Sequence, residues 1–142
     1  MADASQPLHS TIHYDGYRRD RGVHARLEGA VDHSLDRLLP AARTQLRIEQ
    51  VNGAWSAAVA EIRDANQLVG EVIREDRAAR DQGAYDRGRY ADAIMKQEAP
   101  MLAGQVARAA SVLASLWLYD WTRAGKPDSC ESFYLRGERW TR

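Results

Sequence analysis

Asp3, His9, His24 and Glu28 fall within the first 28 positions of a 142-residue chain that contains only four histidines. Imidazole nitrogens and carboxylate oxygens are the donors that hold Zn²⁺, and two His with one Glu leave a fourth position open for water or substrate. Asp3-Ala-Ser-Gln-Pro-Leu-His9 places a carboxylate and an imidazole either side of a Gln-Pro turn. His24-Ala-Arg-Leu-Glu28 places the second imidazole and carboxylate at i and i+4, on one face of a helix. The spacing fits a metal site, and it fits equally a solvent-facing His/Glu pair with His9 simply following a turn.

The words around these residues resemble the second half of the metal site of the zinc-dependent phospholipase C and single-strand-specific nuclease superfamily. In that family a Gln-Pro-Leu-His run is followed by an Asn/Asp-Gly loop and a helix bearing His-x-x-x-Glu or His-x-x-x-Asp. The corresponding runs here are Gln6-Pro7-Leu8-His9, Asp15-Gly16 and His24 to Glu28. A second stretch, Leu116-Trp117-Leu-Tyr-Asp-Trp121-Thr-Arg-Ala-Gly125-Lys-Pro127, resembles the closing helix of bacterial members. The resemblance implies Asp3 as a carboxylate bridging two zincs, and His9, His24 and Glu28 as ligands of another. Up to three Zn²⁺ belong to the complete family, and one is expected here. Glu28 in place of Asp sides with the phospholipase-like branch.

Family members also carry an amino-terminal Trp and further His and Asp ligands upstream, which are absent. The resemblance therefore implies the carboxy-terminal portion of a zinc-dependent phosphoester hydrolase, its amino-terminal half missing and its activity weak or lost alone. The substrate implied is a phospholipid headgroup or single-stranded nucleic acid. The partners implied are a complementary amino-terminal half or a second copy of the chain. The other reading is a non-catalytic all-helical interaction module with a vestigial zinc site.

Composition narrows the classes. Twenty basic residues balance twenty acidic ones, so no global field favours nucleic acid or anionic lipid. No uninterrupted apolar run approaches the roughly 18 residues of a membrane-spanning helix, and no transmembrane segment is expected. One cysteine, Cys130, excludes an internal disulfide. Met1-Ala-Asp-Ala-Ser lacks the basic segment and apolar core of a signal peptide. The chain as written is expected in the cytoplasm, and a longer form with an upstream signal peptide would be exported.

The elements that must position the ligands read as helices throughout, an all-α bundle of four to five helices over residues 1–127 with a polar tail over 128–142. Residues 1–19 read as loop, broken by Pro7 and Gly16. Val23, Leu27, Ala30, Val31, Leu35 and Leu38 recur at three and four, predicting a helix from about Gly22 to Leu39 with His24 and Glu28 at the core edge. Pro40 is expected to open the next helix. Asn52-Gly53 is expected to separate a short helix from a long one ending near Arg80. Gln82-Gly83 and Gly88 mark a break, Tyr90 to Gln97 reads as helix, and Pro100 is expected to start or kink a last helix that stops at Gly125. Glu71 to Asp81 mixes both charge signs, as a solvated helix face does. Trp117, Tyr119 and Trp121 are expected in a packing seam. His33 projects about 180° from His24, toward solvent, and His13 is a secondary candidate ligand.

Overall fold

The computed structural model describes residues 1–126, so Pro127, Cys130 and the tail assigned to 128–142 lie outside the described residues. The chain runs α1 (Ala2–Ser5), a 3-10 turn (Pro7–Ser10), α2 (Val23–His33), α3 (Leu35–Thr44), α4 (Ala54–Gln67), α5 (Val69–Asp81) and α6 (Arg87–Arg123). No strand occurs among the described residues, and the all-α expectation holds. The 37-residue α6 is about 55 Å long and packs against all five other helices.

Burial follows the three-four spacing. Val23, Leu27 and Ala30 of α2 and Leu38 and Ala42 of α3 meet Ala91, Ile94, Met95, Leu102, Ala103 and Ala107 of α6. The alanines on α6 bring the helix axes close, and Leu8 from the 3-10 turn fills the core with no exposure at all. α6 begins at Asp86, whose carboxylate accepts the Arg89 backbone N–H at 2.9 Å. It ends in a Schellman turn, with Gly125 N–H on the Thr122 carbonyl and Lys126 N–H on the Trp121 carbonyl. Gly125 sits at φ +82 there, as that turn requires.

The described residues hold six α-helices rather than four to five, residues 1–19 include α1 and the 3-10 turn rather than loop alone, and four further local expectations are corrected. The first long helix breaks at Ser34 rather than at Pro40, which lies inside α3. Proline forfeits the bond to the carbonyl four residues back, and that residue, Asp36, is exposed, where water can replace the lost donor. The second long helix breaks at Leu68 into α4 and α5. Gly88 and Pro100 interrupt nothing: α6 is continuous through both, and Lys96, whose carbonyl Pro100 frees, is also exposed. Trp117 and Trp121 are 67% and 45% exposed, so the aromatic run is no buried seam.

A stretch of α6 with mean hydropathy 1.3 also meets the length and composition required to cross a membrane, although 22% of it is buried. Gln105 and Arg108 interrupt this stretch, so it is not an unbroken apolar run. One such helix is weak evidence for a membrane span. Here Arg108 is tied to Glu61 at 2.8 Å and Asp64 at 2.7 Å on α4.

Glu98 gives the α5–α6 seam a pH dependence. It is 6% exposed, and its Oε2 has no hydrogen-bond partner. Burial first, then the Glu71 and Glu75 carboxylates, push its pKa up to about 7 against the opposing effect of Arg74. Between about pH 4.5 and 7 the unfolded chain releases this proton while the folded chain keeps it. Stability is therefore expected to fall as pH rises through that window, by on the order of 2–3 kcal/mol, and to level off above it. Urea unfolding at pH 5 and pH 8 checks this, because Glu98→Gln should lose most of the difference shown by the parent.

Candidate metal centre

The first ligand-bearing segment is pinned from both sides. Ser5 is 3% exposed, its hydroxyl donates to Glu61 Oε1 at 2.8 Å, and its carbonyl accepts from Gln105 Nε2 at 2.7 Å. Pro7 starts the 3-10 turn, and the Gln6 side chain caps it by accepting the Leu8 N–H. His9 follows with its ring over the start of α2.

The loop from Thr11 to Gly22 then reverses the chain into α2. Gly22 has φ +84, and its N–H donates to Asp15 Oδ1 at 2.9 Å. Gly16, at φ +80, leaves the room that a Cβ would take from Asp20, which would lie 2.6 Å away. Asp20 is wholly buried, as is Asp76 on α5. Arg77 grips Asp20 with two bonds of 2.6 and 2.7 Å. Arg26 grips Asp76 with two of 2.7 and 2.9 Å, while Arg80 Nε and the Tyr90 hydroxyl donate to the same carboxylate at 3.0 and 2.8 Å. The hydrogen bond from Arg77 holds the Asp20 carboxyl below the usual carboxylate range. Desolvation raises the Tyr90 phenol, which stays protonated as a donor. The charged run of α5 is thus half of a buried ion network rather than a solvated face, and Arg26 stands between His24 and Glu28 on α2.

That scaffold brings three of the four predicted ligands together. His9 Nε2 lies 3.1 Å from His24 Nε2 and 3.5 Å from Glu28 Oε1, and His24 Nε2 lies 3.0 Å from Glu28 Oε1. The circle through these three atoms has a radius of about 1.9 Å. Zn–N and Zn–O bonds are about 2.0–2.2 Å, so His9, His24 and Glu28 are spaced as three side chains that would hold one ion. Two imidazole lone pairs cannot face each other at this distance unaided; a proton or a cation must lie between them. The donor set fits zinc, and the three side chains are 28%, 22% and 49% exposed, at the core edge with one side open.

Asp3 is placed differently. Its Oδ1 lies 3.1 Å from Nδ1 of His9, and the group of converging donors comprises His9, His24 and Glu28. His13 is exposed and stacks on Tyr17, with ring centroids 4.4 Å apart. His33 is exposed, as its helical angle predicts. Two recesses flank the ridge formed by Glu28 and Asp32. One, about 520 Å³, is lined by Arg26, Tyr85, Arg87 and Tyr90. The other, about 380 Å³, is lined mainly by apolar groups, including Pro7, Leu27, Val31, Leu102 and Val106. Reasoning from the sequence missed the Asp20–Asp76 network, whose only outward sign was the density of Arg and Asp on α5.

No family model, curated protein or solved structure matches the chain.

Proposed function

We propose that the chain binds one Zn²⁺ through His9, His24 and Glu28 and serves as the carboxy-terminal portion of a zinc-dependent phosphoester hydrolase, phospholipase C-like or nuclease-like. The observation that carries this reading is the convergence of three donor atoms within bonding reach of one ion, from segments 15 residues apart in sequence. Zinc with an open position supplies Lewis acidity and a water that ionises near neutrality. His9 and His24 contribute neutral donors, and Glu28 contributes the carboxylate that lowers the charge of the site. Arg26 and Arg87 border the recess on one side of Glu28, together with the carboxylates of Asp32 and Asp86. The assignment of the bundle to the zinc phospholipase C and nuclease type belongs to this proposal, as does a complementary polypeptide carrying the remaining ligands.

Phosphodiester hydrolysis by residues 1–142 alone is expected to be weak or absent, with zinc-dependent cleavage once an upstream-extended polypeptide supplies those ligands. A phosphodiester assay on both, each with zinc and with chelator, tests this. Strong turnover by the shorter chain would contradict the division of the site, and no turnover by the extended polypeptide would contradict the hydrolase.

A second reading, a non-catalytic interaction module, has its own support. Leu113 and Trp117 lie four residues apart on α6 and are 37% and 67% exposed, with Trp121 a further turn along. Apolar side chains exposed at i and i+4 share one helix face, where a partner could seat. Homodimerisation of a zinc-free protein, measured by light scattering, would favour this reading over the hydrolase.

A further inference from the structure

The Asp3 carboxylate touches the edge of the His9 ring that faces away from the converging donors. Nδ1 and Nε2 point in divergent directions from an imidazole. A carboxylate seated on Nδ1 at 3.1 Å is therefore not placed to bond an ion held at Nε2. Carboxylate on one nitrogen and ion on the other is the arrangement that fixes the tautomer and orientation of a ligating histidine. Neutral imidazole carries its one proton on either nitrogen. Asp3 selects Nδ1–H, which leaves the Nε2 lone pair free and aimed at His24 and Glu28.

The anchoring of the segment makes this contact a consequence of the fold. Asp3 stands in α1, two residues before Ser5. That residue is buried and held by Glu61 of α4 and Gln105 of α6. His9 stands two residues after Pro7, which is buried like Leu8 beside it. Both ends of the Asp3–His9 pair are thus tied to the bundle core within two residues. His24 lacks the same support: its Nδ1 is buried without a hydrogen-bond partner. We infer that Asp3 is a positioning residue that orients His9 through Nδ1 and stays outside the inner ligand set. This rests on the metal reading above and changes the role that the sequence resemblance implies for Asp3.

The magnitude is set by exposure. Outer carboxylates of this kind change metal affinity by about 10–100-fold. Asp3 is 94% exposed, where water competes for the Nδ1 proton, so the effect belongs at the low end, about tenfold. The experiment titrates the full chain with Zn²⁺ and with Co²⁺ for the parent, Asp3→Asn, Asp3→Ala, Asp3→Glu and His24→Ala. It also reads the His9 tautomer of the metal-free protein from its ring ¹⁵N shifts.

The expected result is a loss of about tenfold for Asp3→Asn and Asp3→Ala and partial recovery for Asp3→Glu. The saturated Co²⁺ absorption should be unchanged in shape, because the inner donors are the same. His9 should be an Nδ1–H tautomer in the parent and shift toward Nε2–H in Asp3→Asn. Unchanged affinity and tautomer in the Asp3 variants, with zinc bound by the parent, would overturn the inference and leave the metal site standing. A changed Co²⁺ spectrum in Asp3→Ala would make Asp3 an inner ligand and overturn it in the other direction. A parent that binds no zinc, like His24→Ala, would overturn the metal reading and this inference with it.

Discussion

Replacing Asp76 by Ala is expected to lower the free energy of unfolding by about 3–5 kcal/mol, the usual cost of stripping one partner from a buried ion pair. Asp76 is inaccessible to solvent and accepts four hydrogen bonds, two from Arg26 and one each from Arg80 and Tyr90. Without it, two half-buried guanidiniums face each other with one fewer anion between them. A phenol on a residue 3% exposed also loses its acceptor. Against a total of about 5–15 kcal/mol for a domain, that loss decides whether the chain folds at physiological temperature. Asp76→Asn keeps the size and one acceptor oxygen and should cost less. Arg37→Ala is the control, because its pair with Asp92 has side chains 51% and 74% exposed and should contribute less than about 1 kcal/mol. Urea unfolding followed by circular dichroism measures all three. A change within about 1 kcal/mol for Asp76→Ala would mean that the network does not anchor the bundle. Zinc affinity should fall in the same variant, because Arg26 fixes the turn of α2 that holds both His24 and Glu28.

The network also sets the acid limit. Asp20 titrates below its ordinary value because Arg77 donates to it. Its stabilising effect is complete above the usual carboxylate range and is lost as pH falls through its lowered folded value.

The helix that carries the site was legible because its evidence is local. Val23, Leu27 and Ala30 mark one face, and His24 and Glu28 lie beside it at a spacing that fixes their neighbourhood. The convergence of His9 with them was legible only through the resemblance, since no periodicity relates a 3-10 turn to a helix across a glycine-bounded loop. The partners of the buried network were not legible, although the density of Arg and Asp on α5 was. The bonds from Arg26 to Asp76 and from Arg77 and Arg80 to Asp20 join residues 50 to 60 positions apart, and a mixed-charge helix looks the same from sequence whether its partners are water or buried aspartates. Pro40 and Pro100 misled for a different reason. A proline removes one hydrogen bond, and where the freed carbonyl belongs to an exposed residue, water takes the place of the donor and packing elsewhere keeps the helix intact. Trp117 follows the spacing of a core stripe yet is 67% exposed, because spacing within one helix does not say whether another helix lies over that face.

The largest functional effect is expected at the candidate metal centre. His24→Ala removes the donor common to the two shortest separations in the site, leaving His9 Nε2 and Glu28 Oε1 3.5 Å apart. Two donors, one of them on a half-exposed glutamate, do not make a closed or catalytic zinc site, which needs at least three protein ligands. Affinity should fall far beyond the tenfold expected for Asp3→Asn. The direct measurement is zinc X-ray absorption on the purified chain loaded with one equivalent of Zn²⁺, alongside His24→Ala. Bound zinc is expected with two imidazole nitrogens at about 2.0–2.1 Å and carboxylate oxygen at about 2.0–2.2 Å, and the ion is expected to be lost in the variant. Zinc that fails to bind the parent, or an imidazole count unchanged by His24→Ala, would contradict this expectation.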